Sequence, residues 1–251
     1  MTRFNLASYN LYQYAEPGTF WYEAEPRNTY SPEEWAQKHT FIKKMLVDLD
    51  ADVIAFQEVF STQSFCELLA QAGYPHVQIL EEAPVFPAPD GGPTVFAGPV
   101  NALASRHRIL SARLLPAAPQ IEPDGLLSAQ AGFRRGIIEA EIDIPGLPMP
   151  LLVYACPLQP QGARVDEDAI EALDGWDTRW RETFRERARR DAGQVISRAA
   201  EAMMLHDAVL DRLAAEPPDG APLKVWVPAC ASGEEVYTIA IELSEALREM
   251  G

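Results

Sequence analysis

Ala51-Asp52-Val53-Ile54-Ala55-Phe56-Gln57-Glu58-Val59 is the stretch that decides how this chain folds. Four apolar residues, 53–56, stand in a row between an acidic break and a polar pair. So short an apolar run reads as a strand covered on both faces. It ends at Glu58, which places a carboxylate at a rigid strand terminus. Upstream, Ser31-Pro32-Glu33-Glu34 forms a helix start. Ser31 can cap, Pro32 suits the first helical position, and Glu34 sits where a capping box puts its acid. Trp35, Ile42, Met45, Leu46 and Leu49 then recur at helical spacing until Asp50-Ala51-Asp52 breaks the helix. Further upstream, Phe4-Asn5-Leu6-Ala7-Ser8-Tyr9 alternates as a first strand, and residues 10–30 read as a polar, aromatic loop.

Downstream, residues 64–72 predict a second helix ending at Gly73. Residues 83–99 hold five prolines and three glycines and read as an irregular loop. Asn101 to Leu115 reads as one or two strands around Ser105-Arg106. From Phe133 to Ile144 the pattern alternates, with Ile138, Ala140 and Ile142 on one face, and Gly146-Leu147-Pro148 turns the chain into a paired strand, Leu151 to Ala155. An acidic loop, 159–175, precedes a long helix, roughly 177–214, with six arginines between Arg179 and Arg190. These arginines form either an anion-facing patch or, by preference, a solvated face paired with Glu182, Glu186 and Asp191. Glu216-Pro217-Pro218-Asp219-Gly220 is a sharp stop. A strand from Leu223 to Val227, a loop through Gly233 and a helix from Glu234 onward complete the pattern.

With 251 residues the chain can bury a substantial core. Its 47% apolar and 23% charged content is ordinary for a soluble globular protein, and no apolar run reaches the ~18 residues of a membrane span. The first residues lack the pattern of a signal peptide. Cys66, Cys156 and Cys230 are sparse and odd in number, which predicts free thiols and a cytoplasmic setting. The net charge of −16 divides evenly: residues 1–160 carry 10 basic and 18 acidic groups, and residues 161–251 carry 11 and 19. Such a surface repels phosphate backbones, so a small or lipid phosphoester reached through a bridging cation is favoured over nucleic acid as a partner.

Four segments together carry a family resemblance: Ser8-Tyr9-Asn10-Leu11, the stretch 51–59, Asn101-Ala102-Leu103-Ala104-Ser105-Arg106, and the hairpin Phe133 to Ala155. In this order they resemble the endonuclease/exonuclease/phosphatase (DNase-I-like) family. The resemblance implies a layered α/β sandwich, a divalent cation (Mg²⁺) held by Glu58, and Asn10 as the neighbouring catalytic residue that helps place metal or phosphate. A hard carboxylate oxygen suits Mg²⁺, which polarises a phosphoryl oxygen. The plainer alternative has Asn10 capping a turn and Glu58 as a solvated strand-end acid. The sequence also departs from the family. Where the family has a His-Leu-Lys-Ser-like segment, Cys156-Pro157-Leu158-Gln159-Pro160 stands, with Pro157 in the histidine position. Proline can neither donate a hydrogen bond nor shuttle a proton. Neither Gly-Asp-x-Asn nor the late Ser-Asp-His of the family occurs in the chain. The implied phosphoesterase is therefore weakly active or inactive. His39, His76, His107 and His206 offer no replacement base: His39 and His206 fall in predicted helices and His76 in a loop.

A second resemblance begins where Gly-Asp-x-Asn would be expected. Pro222 to Ala240 is similar to the first motif of CheR-type methyltransferases, which bind S-adenosylmethionine. The small residues Ala229, Cys230, Ala231, Ser232 and Gly233 let a ligand approach the backbone, and the helix start beyond them offers free N–H groups to a carboxylate. Glu234 and Glu235 would repel a phosphate yet tolerate a cationic sulfonium. The alternative is a small-residue turn without a ligand. The expectation is thus a truncated α/β sandwich over 1–215 joined to a Rossmann-like strand–loop–helix unit over 216–251. Its function is metal-dependent phosphoester chemistry first, S-adenosylmethionine binding second, and a non-catalytic interaction role third.

Overall fold

Helix α1 (Pro32–Leu49) begins at the capping box read from the sequence. Ser31 Oγ accepts the Glu34 N–H at 3.2 Å, and Glu34 Oε2 accepts the Ser31 N–H at 2.8 Å. In this computed structural model the described residues are 3–87, 92–115 and 136–156, with 175, 178–179, 181–183, 205, 207–212 and 215. The helix stops at Asp50, whose left-handed backbone reverses the chain. Strands β1 (Leu6–Tyr14) and β3 (Val53–Val59) flank it and pair in parallel, from Leu6 opposite Val53 to Asn10 opposite Gln57. Parallel neighbours require a crossover connection, which α1 supplies.

β3 lies inside a sheet of order β1-β3-β6-β4, with β6 (Val100–Ser105) antiparallel to both β3 and β4 (His76–Gln78). Its side chains alternate between two cores. Ile54 and Phe56, with Ala102 and Ala104 of β6, face Ile42 and Leu46 of α1 and Phe65, Leu68 and Leu69 of α2 (Thr62–Gln71). Val53 and Ala55, with Leu103, face Ile138, Ala140, Ile142, Val153 and Ala155. Those five belong to an antiparallel sheet of β7 (Ile109–Leu114), β8 (Ile138–Ile142) and β9 (Leu151–Ala155). The layering is helix, sheet, sheet, a mixed α/β architecture in which the doubly covered 53–56 run has the environment its composition predicts.

The structure alters three expectations. The first strand does not stop at Tyr9; β1 continues to Tyr14 through two left-handed residues, Tyr12 (φ 51°) and Gln13 (φ 53°). The loops 10–30 and 83–99 each contain a three-residue strand, β2 (Thr19–Trp21) and β5 (Thr94–Phe96), paired in parallel. Such runs are too short for a period to register, and what orders them is tertiary: Trp21, Ala15 and Phe60 form a small buried cluster joined by Tyr30 and Phe96. His76 opens β4 rather than sitting in a loop. Elsewhere among the described residues of this unit the pattern holds. α2 ends at Gln71, is capped by Ala72 and is followed by Gly73, whose φ of 89° only glycine adopts freely. Gly146 makes the β8–β9 turn at φ 86°.

The described residues up to 156 belong to one compact unit; those from 175 to 215 belong to a second. In that second unit every described residue from 178 to 215 is helical, as the pattern over 177–214 predicts. Most of the arginine-rich face, Cys230 and the whole of 216–251 lie outside the described residues. Among the described residues Cys66 and Cys156 form no disulfide. Among the described residues no helix is long and apolar enough to cross a membrane.

Candidate metal centre at the ends of two parallel strands

Asn10 and Glu58, singled out at the ends of two separate strands, meet in the structure. Because β1 and β3 are parallel, their C-terminal ends lie at one edge of the sheet. Both strands are irregular there. The β1–β3 register shifts between Asn10 and Tyr14, and the β3–β6 register shifts between Phe56 and Val59. Tyr12, Gln13 and Glu58 (φ 66°) all adopt left-handed backbone, a conformation that costs a non-glycine residue about 1–3 kcal/mol. Bulges of this kind re-aim side chains beside functional sites.

The re-aimed Glu58 carboxylate is held at both oxygens. Asn10 Nδ2 donates to Oε1 at 3.1 Å, and the Gln13 N–H donates to Oε2 at 3.0 Å. Asn10 Oδ1 in turn accepts the Tyr12 N–H at 2.8 Å, which fixes the Asn10 amide and the turn together. Asn10 is therefore an orienting group for Glu58, and the turn-capping role considered for it is met as well. Behind the pair, buried Gln57 donates to Ser8 Oγ at 3.2 Å and tightens the β1–β3 junction.

A lysine that pattern reading did not single out completes the site. Lys38, in the second turn of α1, reaches the carbonyls of Leu11 (2.8 Å) and Tyr12 (2.7 Å) and the Tyr30 hydroxyl (3.1 Å). Its ammonium lies 4.8 Å from the centre of the Tyr30 ring. Burial lowers its pKa to about 8, against the pull of the Glu58 charge, which raises it. Tyr30 donates to the Tyr12 carbonyl at 2.9 Å. Burial, together with Tyr12, Glu34 and Glu58, pushes the Tyr30 phenol up to about 12, so it stays a donor at neutral pH. A helix at 31–49 and an aromatic loop before it were legible; which of their polar side chains turns inward was not, since Lys38 has no periodic signature.

The donor set fits a hard divalent cation of one kind. Each Glu58 oxygen accepts a single N–H bond and keeps a lone pair, which suits an ion that takes one or two carboxylates and fills its octahedron with water and substrate phosphate. It does not fit a closed protein cage: among the described residues no group of three His, Cys, Asp or Glu side chains gathers anywhere. Ala229, Cys230, Ala231, Ser232, Gly233, Glu234 and Glu235 lie outside the described residues, as do His206 and Pro157.

Two of the described histidines, His39 and His107, have structural partners. His39 contacts the Tyr14 hydroxyl at 2.9 Å, and its ring packs against those of Tyr14 and Trp35. His107 Nε2 lies 3.0 Å from Asp52 Oδ1. That pair sits at the start of β3, six residues from Glu58, or about 20 Å along an extended strand. It cannot serve the site as a base.

No family model matches the chain, and no curated protein matches it by sequence. Among solved structures it aligns with the human Nocturnin catalytic domain with bound sulfate anion, at 16% identity and a TM-score of 0.44 over 81% of this chain. It aligns also with SmcL, at 14% identity and 0.46, over 96% of this chain and 68% of that one. A third match is an endonuclease/exonuclease/phosphatase from Beutenbergia cavernae, at 20% identity and 0.34, over 62% of this chain and 43% of that one. The chain spans 61% of the length of the Nocturnin domain. Likenesses this distant transfer no residue role to this chain.

Proposed function

We propose that the chain is a divalent-cation-binding phosphoester scaffold of the endonuclease/exonuclease/phosphatase kind, with Glu58 as the protein ligand to Mg²⁺ and Asn10 as the residue that orients it. The observation that carries this reading is the geometry at the ends of β1 and β3. Three left-handed residues converge there, and two N–H donors fix both oxygens of one partly exposed carboxylate. Strain concentrated at one point, around one charged oxygen ligand, is what a preorganised site requires and a solvated acid does not. When bound, Mg²⁺ supplies polarisation of a phosphoryl oxygen and neutralises charge that develops on it. The residues of this chain supply the carboxylate, hold it still and leave its outer side open.

The same reading gives slow turnover. Pro157 stands in place of a histidine and no Gly-Asp-x-Asn occurs in the sequence, so no side chain is assigned as general base. The net charge of −16 favours a small or lipid phosphoester over nucleic acid. The test is inorganic phosphate binding with and without Mg²⁺, alongside hydrolysis of a soluble phosphodiester. Phosphate binding that requires Mg²⁺, with hydrolysis near background, supports the reading. Phosphate binding indifferent to Mg²⁺ contradicts the scaffold, and rapid Mg²⁺-dependent hydrolysis contradicts the slow turnover.

A second reading rests on sequence alone: the small-residue run Ala229–Gly233 followed by Glu234 and Glu235 as a site for S-adenosylmethionine. Titration with that cofactor, and its loss in Gly233→Val, separates the two.

A further inference from the structure

We propose that Lys38 is a positioning residue for Glu58: it ties down the left-handed Tyr12–Gln13 turn that delivers a backbone N–H to the carboxylate. The inference rests on the metal-site reading of Glu58 but is carried by its own geometry. Lysine has three N–H donors, and Lys38 meets three acceptors: Leu11 O, Tyr12 O and Tyr30 Oη. No donor is left over for a phosphate, so Lys38 is not read as a substrate-binding group.

What the three acceptors share is the turn. Leu11 and Tyr12 belong to the stretch where β1 loses register with β3, and Tyr30 binds the same Tyr12 carbonyl. A carbonyl in a regular parallel strand would bond to its neighbour; here two consecutive carbonyls turn to an ammonium instead. The next N–H along the chain, that of Gln13, is the one that meets Glu58 Oε2. Removing the ammonium takes the Lys38 donor from the Leu11 carbonyl, leaves the Tyr12 carbonyl with the Tyr30 hydroxyl, and frees two strained residues from their tether to α1. The turn then relaxes toward ordinary strand geometry, and Glu58 loses one of its two anchors. Lys38 also carries a positive charge whose Coulomb field reaches Glu58. That field by itself opposes a second cation, so the two roles predict opposite outcomes on removing the side chain. A tether gives weaker Mg²⁺ binding, and a mere repelling charge gives tighter binding.

The experiment uses the full chain with Lys38→Met, Lys38→Arg and Tyr30→Phe. Mg²⁺ affinity is measured by calorimetry, and hydrogen exchange is measured at the Gln13 amide and at amides of Ile54 and Leu103 in the sheet interior. The expected result for Lys38→Met is Mg²⁺ affinity lower by tenfold or more and Gln13 exchange faster by at least tenfold, with Ile54 and Leu103 unchanged. Lys38→Arg, which can still donate to both carbonyls, restores most of both. Tyr30→Phe keeps the charge and removes one acceptor, and is expected to weaken Mg²⁺ binding a few-fold; it tests the tether even if Lys38→Met does not fold. Mg²⁺ binding unchanged or tighter in Lys38→Met, with Gln13 still protected, overturns the proposal. If the wild-type chain binds no Mg²⁺, the reading of Glu58 fails while the tether is still decided by the Gln13 amide.

Discussion

Replacing Phe65 by alanine is the sharpest test of how the site edge is supported. Phe65 on α2 is fully buried and meets two other rings nearly edge-on: Tyr14 at 4.9 Å and Phe56 at 5.0 Å between centroids. Tyr14 is the last residue of β1, and its carbonyl accepts the N–H groups of both Phe60 and Ser61 just past β3. The ring of Phe65 therefore braces the two strand ends that carry Asn10 and Glu58. Truncating a buried phenylalanine to alanine removes its transfer free energy and leaves a cavity, together about 3–5 kcal/mol. Of this, the two ring pairs account for about 1–3 kcal/mol. For a chain of this length about 4 kcal/mol lowers the melting temperature by roughly 8–16 °C. Calorimetric melting of Phe65→Ala and Phe65→Leu measures both parts. Leucine keeps most of the volume, so its deficit reports chiefly the ring contacts. A Phe65→Ala cost under about 1 kcal/mol would refute the bracing argument, because a solvent-filled or collapsible site would then take the place of the packed one.

Two further outcomes follow from local chemistry. Ser31→Ala removes the side chain that accepts the Glu34 N–H and should cost about 1 kcal/mol in urea unfolding; a loss near zero would mean the capping box is not formed in solution. Acid stability should depend on Asp52. Burial by itself would raise this carboxyl, but the Asn5 N–H at 2.7 Å, His107 and Arg106 together hold it below its ordinary value. A carboxyl depressed in the folded state stabilises the fold above its unfolded pKa and loses that contribution as pH falls through the folded one. The loss therefore belongs below about pH 4. Asp52→Asn should flatten the decline of melting temperature in that window, and an unchanged decline would assign acid unfolding elsewhere.

How much of this was readable in advance depends on the range over which each feature is determined. The α1 capping box is local, decided by residues three apart, and it forms as read. The double burial of β3 is written into Val53-Ile54-Ala55-Phe56, since so short a run, rich in β-branched and aromatic residues, suits a strand between two apolar layers. Ile138, Ala140 and Ile142 share a face because alternation has a fixed period. The continuation of β1 to Tyr14 had no such signal. Asn10-Leu11-Tyr12-Gln13 follows no strand period because its last two residues are left-handed, and it stays attached through Lys38 and Glu58, 26 and 45 or more residues away. Asn10 and Glu58 were legible as strand-end polar residues. That Asn10 acts by holding Glu58, and that Gln13 shares the task through its backbone, are properties of a register shift that no side-chain pattern encodes.

The central claim is that Glu58 is a preorganised ligand for a divalent cation, and a calorimetric Mg²⁺ titration of the wild-type chain against Glu58→Gln tests it most directly. Glutamine keeps the shape and an oxygen acceptor but removes the charge. The account predicts saturable one-site binding in the wild type and at least tenfold weaker binding in the variant, a difference of about 1.4 kcal/mol or more. Equal Mg²⁺ affinity in the two proteins would contradict it.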